Sequence, residues 1–405
     1  MELPIFKFPT YVEELSEPFH SLFKQKRQLL QFKRLITGFG IAEKHTIAHM
    51  NGLFTNHTNQ SNLNRFITNS NWDQSEMNRI KICMINKIER DGILILDDYI
   101  VEKYGKEIYG TNWHRDHASG RNVWGHQIAD CVYSKNGIYP LLSTMYIKKK
   151  SKWLKDKFKT KIQIQMDHLT ELKEMGLEFS TVVGDSWYYS KDLTDQIKQL
   201  EKDWIFQSKS NRLIMSNRKW TPLSKFAEKI INKKKFRVVF IGDDKYFMKV
   251  FSVRMKGMGL VRLLITMNKH GNFNFYISNR LDWKEVDIAR QYAKRWDIEV
   301  WHRDGKGNYG LKECQLRSDE AVKKYITLST LAATLLEIAS LLSPVYAALT
   351  KRGRTPEMKH RWVITELVGQ LITAATKVGN NMVKKIMEGI LTPYKSTINK
   401  RITDY

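Results

Sequence analysis

The sequence predicts an α/β fold: a mixed sheet, an antiparallel β block inserted into it, and flanking helical segments. Three observations carry this. Two short apolar runs, GILILDD from Gly92 and FSTVVGD from Phe179, have the length of buried strands and end in acids. Helical patterns alternate with them, at Lys161 to Gly176 and Asp192 to Leu200. Between about residues 210 and 280, FRVVFI, KYFMKVFSVRM, VRLLITM and FNFYISN follow one another with turn residues such as Lys269-His270-Gly271-Asn272 between them.

In chain order, residues 1–88 read as helices joined by polar turns: Glu13 to Ile36, then GIAEKHTIAHMNGLF, then NQSNLNRFITNSNWD. Basic and amide side chains on such helices suit a helix-turn-helix-like DNA reader. From residue 89 a strand, a hairpin through Lys135-Asn136-Gly137, and the strand–helix–strand–helix–strand run to 209 form the first part of the core; Asn-Gly between apolar runs is a strong hairpin signal. Residues 210–281 are the β block. Asp282 then opens a helix, with Glu285 as a capping-box-like partner, which runs to about Arg303 and stops near Gly305 and Gly307. Residues 282–345 complete the core, and 346–405 form a helical C-terminal region.

The 405 residues carry 67 Lys plus Arg against 42 Asp plus Glu, a net charge of +25. Such a charge concerns partners rather than fold. Nucleic acid leads, because cations that neutralise phosphates release condensed counterions. Hydrophobic residues at 42% suffice for a core, which argues against a disordered chain. Cys83, Cys131 and Cys314 are far apart, so neither a disulfide framework nor a zinc site is expected and a reducing cytoplasm fits. The N-terminal residues lack a secretory signal pattern. Tyr325 to Leu349 is long and apolar enough to span a bilayer, but Glu337, Pro344 and several hydroxyls favour a buried helix. His114 and His117 have no acidic or Cys partners at ligand spacing and read as surface loop histidines.

Three acidic positions stand out. Asp97, with Asp98 beside it, ends the first apolar strand, and Asp185 ends the second. Each could instead be a turn or cap residue. Gly184 before Asp185 permits close approach. Glu299 lies inside the helix from Asp282. Tyr292, Arg295, Glu299 and Lys306 stand at offsets of 0, 3, 7 and 14, and on a continuous helix these fall on one face about 60° wide. A surface helix with an Arg295–Glu299 pair is the plain alternative. Phosphodiester chemistry needs an activated oxygen nucleophile, a stabilised leaving oxygen and neutralised charge. Two Mg²⁺ or Mn²⁺ ions about 3.5–4 Å apart supply these, held by carboxylates. Asp97, Asp185 and Glu299 are then expected to converge within metal-bridging range.

Tyr292, Arg295, Glu299 and Lys306 match the Tyr-(two)-Arg-(three)-Glu-(six)-Lys signature at every marked position. With ILDD, VVGDS and a β block between Asp185 and Glu299, the chain resembles the DDE transposases of prokaryotic insertion sequences. The acids are 88 and 114 residues apart, which leaves room for the insertion those proteins carry. The resemblance covers residues 89–345 and, loosely, the N-terminal helices. It implies a ribonuclease-H-like core of the retroviral-integrase kind, with Asp97, Asp185 and Glu299 as both the catalytic residues and the ligands of Mg²⁺ or Mn²⁺. It implies DNA contacts from Tyr292, Arg295 and Lys306. It implies an enzyme that binds double-stranded DNA at the transposon ends and target, works as a homodimer, and resides in a prokaryotic cytoplasm at the nucleoid, without a membrane. Many relatives have Thr or Ser two residues after the first acid, where this chain has Tyr99. That leaves open whether Asp97 or Asp98 comes first, and Asp97 is favoured. Relatives use aromatic residues of the insertion to hold a flipped base; here Trp220 and Trp283 flank it. The alternatives are an inactive DNA-binding relative acting as a repressor, and a stand-alone ribonuclease-H-like nuclease.

Overall fold

The structure, a computed structural model, describes residues 4–56, 58–116, 119–231, 236–241, 244–344 and 355–378. The chain forms two compact units that do not follow chain order. The first takes the described residues of Met1–Met84, Val101–His126 and His302–Tyr405, and the second those of Ile85–Ile100 and Gln127–Trp301.

The first unit is mainly helical. It contains α1 (Thr10–Leu15), a short 3-10 helix (Glu17–Leu22), α2 (Lys26–Ile41), α3 (Ile47–Gly52), α4 (Gln60–Thr68) and most of α5 (Gln74–Ile88). It also contains the end of α10 (Trp296–Gly307), with α11 (Asp319–Leu342) and α12 (Pro356–Val378). Three of its helix starts carry side-chain oxygen caps. Thr46 opens α3, Asn59 opens α4 and Ser318 opens α11. α11 packs against α1, α2 and α4. Tyr325 meets Phe39 edge-on at 4.9 Å, and its hydroxyl donates to the carbonyls of His45 and Gly310 at 3.1 and 2.8 Å. This packing explains why α11 is apolar: 83% of its most apolar window is buried within the chain. Its Glu337 is buried in an ion pair with Lys359 of α12, so the charge has a partner where water is absent. Residues 345–349 of the apolar stretch lie outside the described residues.

The same unit holds a hairpin of β2 (Asn112–Asp116) with the first half of β3 (Arg121–Ser134). Here the expectation for His114 fails. It is a buried strand residue rather than a loop histidine, because a period of two turns it inward between Trp113 and Arg115. His117 lies outside the described residues.

The second unit is α/β, with helices beside a large, mostly antiparallel sheet. Its strands, in the order they neighbour one another, are β3, β1 (Gly92–Glu102), β5 (Phe179–Gly184), β6 (Asp203–Ser208), β12 (Phe273–Ser278), β11 (Gly259–Met267), β10 (Asp244–Met255), β7 (Leu213–Ser216) and β8 (Lys219–Pro222). β4 (Ile138–Met145) pairs with β3, and β9 (Arg237–Ile241) with β10. β1, β5 and β6 run parallel. The β3–β4 hairpin turns at Lys135–Gly137, as the Asn-Gly signal predicts. α6 (Lys161–Glu174) leads into β5 after the strands β2 to β4, and α7 (Lys191–Gln199) connects β5 to β6. Thr160 and Gln163 form a reciprocal capping box at the start of α6, and Gly176, at φ +80°, ends that segment where a side chain would be strained.

The stretch of strand-like runs from about 210 to 280 folds as β7 to β12. β12 pairs antiparallel with β6, so the stretch extends the core sheet directly. It also contains α8 (Leu223–Ile231), a helix the strand-like patterns did not predict. Its apolar Leu223 and Ala227 recur at helical spacing and are buried.

Candidate active site

Asp97 and Asp98 sit inside β1, not at its end, since the strand continues to Glu102. The buried run Leu94–Leu96 made the strand look shorter; beyond it Tyr99 and Val101 are buried, and the alternation extends the strand through the acids. What does end there is the parallel pairing. Leu96 is opposite Gly184, the last residue of β5, so Asp97 and Asp185 are the next residues on neighbouring strands. Gly184 permits close approach of a ring: a Cβ there would lie 2.7 Å from the Phe206 side chain.

The third element departs from the expected single helix. α9 (Glu285–Ala293) ends, Lys294 and Arg295 form a turn, and α10 begins at Trp296. At the junction the N–H groups of Arg295 and Ile298 bond three residues back, to Tyr292 and Arg295. This tighter winding replaces the 100° step on which the one-face expectation rested. The start is also different: the Asp287 carboxylate accepts from the Lys284 N–H at 2.9 Å, while Asp282 pairs with Arg280. At the far end the helix runs through Gly305 to Gly307.

The structure still brings Tyr292, Arg295 and Glu299 together. The Arg295 guanidinium lies 6.0 Å from the Tyr292 ring centroid and ion-pairs with Glu299 four residues on. It also reaches Asp97 Oδ2 at 3.3 Å. One cation therefore links the first and third acids. Burial works against the Arg295 charge, but Tyr292, Glu299 and Asp97 hold its pKa above the ordinary value. Tyr292 packs on Tyr276 at 4.5 Å. Burial, with Tyr276, Asp185 and Asp97 nearby, pushes its phenol well up. Its hydroxyl has no hydrogen-bond partner among the described residues.

Asp185 accepts the main-chain N–H groups of Trp187 and Tyr188 on Oδ1, at 2.8 and 3.4 Å. Its pKa is raised, first by burial and also by Asp98, with those N–H bonds and Arg295 opposing. Asp98 is the more enclosed member of its pair. It takes the Lys161 ammonium and the Tyr188 hydroxyl on Oδ1, both at 2.7 Å, and the Gln127 amide on Oδ2 at 2.6 Å. Asp97 uses Oδ1 on the Asp98 N–H at 2.8 Å.

Behind the acids lies support the sequence did not reveal. Gln165 of α6, fully buried, donates to the carbonyls of Asp97 and Asp130. Buried Asp130 accepts from Trp301 Nε1 at 2.6 Å, which ties the α10 segment just past Glu299 to β3. A polar residue in an apolar strand (ADCVYS) was the available signal. Lys306 belongs to the first unit, where it is half-buried near Lys312 and Asp116; burial and Lys312 lower its pKa. Trp220 is exposed, and Trp283 lies under the Arg280 guanidinium at 5.4 Å.

The carboxylates are the oxygen donors a hard divalent cation prefers, and the burial that chiefly raises Asp185, with Asp98 adding to it, is a cost that such a charge would offset. The donor chemistry thus fits. The expected convergence is not seen. Among the described residues no three His, Cys, Asp or Glu side chains are gathered for a metal ion. Arg295 stands between Asp97 and Glu299 instead, because like charges need a counter-charge.

Fold and site together define an α/β protein with one acid in a strand, a second just past the neighbouring parallel strand, and a third on a helix, joined to the first through Arg295. The chain belongs to the family described as archaeal putative transposase ISC1217, which it matches over residues 97–343. It is 27% identical over 214 residues to the probable transposase for insertion sequence element IS701 of Microchaete diplosiphon; the match covers 50% of this chain and 55% of that protein. The chain thus spans about half the length of that curated relative. A solved structure of the piggyBac transposase synaptic complex with hairpin DNA has a TM-score of 0.47 and 10% identity, over 95% of this chain and 81% of its own.

Proposed function

We propose that the chain is the transposase of an insertion sequence: it binds double-stranded DNA at the element's terminal repeats, cuts it and joins it to a target. The observation that supports this most is the Asp97–Arg295–Glu299 linkage beside Asp185, in a chain of this family. On this reading β1, β5 and β6 belong to a ribonuclease-H-like core, with 210–281 as its insertion and the helices of 1–88 as a DNA reader. The protein acts as a homodimer at the DNA of a prokaryotic cytoplasm, with no membrane role.

Asp97, Asp185 and Glu299 are the catalytic residues of this reading and would hold Mg²⁺ or Mn²⁺, two ions in all. Bound ions supply an activated oxygen nucleophile and a stabilised leaving oxygen. The chain's own groups bind and orient. Arg295 neutralises phosphate charge once it leaves Asp97 and Glu299, and a planar guanidinium suits two phosphate oxygens. The Tyr292 hydroxyl, unpartnered and close to the acids, donates to a phosphate or base. Lys306, in the first unit, is the remaining DNA contact of this reading.

The test is Glu299→Gln. Mg²⁺-dependent cleavage of terminal-repeat DNA should be abolished while binding to that DNA persists. Equal cleavage by the variant would overturn the assignment.

A further inference from the structure

Asp130 lies within β3 and is buried, with Ala129, Cys131 and Val132 beside it equally enclosed. A carboxylate in such surroundings is costly unless its oxygens are hydrogen-bonded. Ser143 of β4 donates to Oδ1 at 2.5 Å, and the Trp301 indole donates to Oδ2 at 2.6 Å. An apolar side chain at this position would avoid the cost altogether, so stability does not account for an acid here.

What the acid grips is the glutamate helix. Trp301 is two residues past Glu299 on α10. Two residues are about 200° of helix, so the indole and the Glu299 carboxylate leave opposite sides. The segment around β3 holds the indole's side of the helix at two earlier points. Ser134 donates to the Asp297 carboxylate, and the Lys294 ammonium donates to the Lys135 carbonyl at 2.9 Å. Of these three ties, the one between Asp130 and Trp301 is the buried one. On the other side of α10, Arg295 reaches Asp97 and Glu299. The Asp130 carbonyl also shares the Gln165 amide with the carbonyl of Asp97. One residue is therefore tied to the strand of the first acid and to the helix of the third. A rotation of α10 by about 20° would move a side-chain end about 5 Å from its axis by roughly 2 Å. A metal–ligand distance holds to about 0.2 Å.

We infer that Asp130 is a positioning residue: through Trp301 it fixes the rotation of α10 and so the place of Glu299 as a metal ligand. The inference deepens the proposed function and rests on that reading. The rival is a bond that only stabilises the fold.

The experiment is titration of the full chain with Mn²⁺, followed by the electron paramagnetic resonance of free Mn²⁺, with DNA binding measured separately in metal-free buffer. Trp301→Phe keeps a ring and loses the N–H donor. It should weaken Mn²⁺ binding about ten-fold or more, the range for losing an outer partner of a metal ligand. Its DNA affinity, set by phosphate contacts, should change less than about two-fold. Asp130→Asn keeps an oxygen for the indole and should retain Mn²⁺ affinity within about three-fold. Asp130→Leu should match Trp301→Phe, and the double variant should lose no more than either alone, because both break one bond. Wild-type Mn²⁺ affinity in Trp301→Phe, with or without a lower melting midpoint, would overturn the inference, as would additive losses in the double variant. Glu299→Gln isolates the reading beneath. If it binds Mn²⁺ as tightly as wild type, or if wild type binds none, the ligand assignment falls and takes the inference with it. Affinity lost in Glu299→Gln but kept in Trp301→Phe would overturn the positioning role alone.

Discussion

The side-chain amide of Gln165 donates to the main-chain carbonyl of Asp97 at 3.1 Å, and to that of Asp130 at 2.9 Å. One buried side chain on α6 thus spans the backbones of β1 and β3 beneath the acids. Gln165→Leu would remove this donor from both carbonyls, a cost of about 1–3 kcal/mol in all for the lost buried bonds. A lower thermal midpoint in scanning calorimetry is the expected result, together with slower cleavage at temperatures where the variant remains folded.

Gln165 is itself held by His168, whose Nδ1 lies 3.1 Å from Gln165 Oε1 while Nε2 lies 2.8 Å from the Thr144 hydroxyl. Burial lowers the His168 pKa from 6.5 to about 4. His126 and His360, in the other unit, are lowered to about 4 for the same first cause. The native state therefore binds fewer protons than the unfolded chain between those values, so stability rises with pH there and is lost as pH falls. Thermal midpoints should drop between pH 6.5 and 4, and His168→Gln should flatten part of that slope. An unchanged slope in this variant would count against the assignment.

Asp97 and Asp98 can be separated by their surroundings. Asp98 binds Lys161, Tyr188 and Gln127, so Asp98→Asn should cost about 1–3 kcal/mol through the charge-assisted bond it loses. Asp97→Asn, which loses the longer 3.3 Å contact to Arg295, should cost less and abolish metal-dependent cleavage. The reverse pattern, in denaturant melts paired with cleavage assays, would make Asp98 the first acid.

Asp185 behaves oppositely to the histidines. Burial, with Asp98, raises its pKa, so the native state favours the protonated form. Its contribution is fully present below the unfolded carboxylate value and is lost as pH rises through the raised one. Asp185→Asn keeps an oxygen for the Trp187 and Tyr188 N–H groups but removes the charge. The variant should melt higher than wild type at neutral pH, with the advantage vanishing in acid.

Gly184→Ala probes the close approach beside Asp185. The new methyl would lie 2.7 Å from the Phe206 ring, which is fully buried and cannot move freely. Overpacking of this kind costs about 1–3 kcal/mol. Chemical denaturation should show that loss, and a neutral result would mean that β5 and β6 yield more than their register implies.

The sequence by itself determined the local part of this protein: buried β1 and β5, the Asn-Gly hairpin, the helical pattern from Lys161 to Gly176, and the spacing that marks Tyr292, Arg295 and Glu299. These follow from periodicity and turn chemistry, which act over a few residues. Only the tertiary structure decided that β12 pairs with β6, so that the strands of residues 213–278 prolong one sheet. It also decided that the helix breaks at Lys294 and Arg295, and that Arg295 joins Asp97 to Glu299. Gln165, Asp130 and Tyr188 were illegible as site residues for the same reason. Each acts on a partner dozens of residues or more away, and strand register and burial, not local spacing, set such partners. Asp97 and Asp185 show both halves of the division. Their place at the ends of apolar runs was visible in the chain, and their position side by side came from the pairing of Leu96 with Gly184.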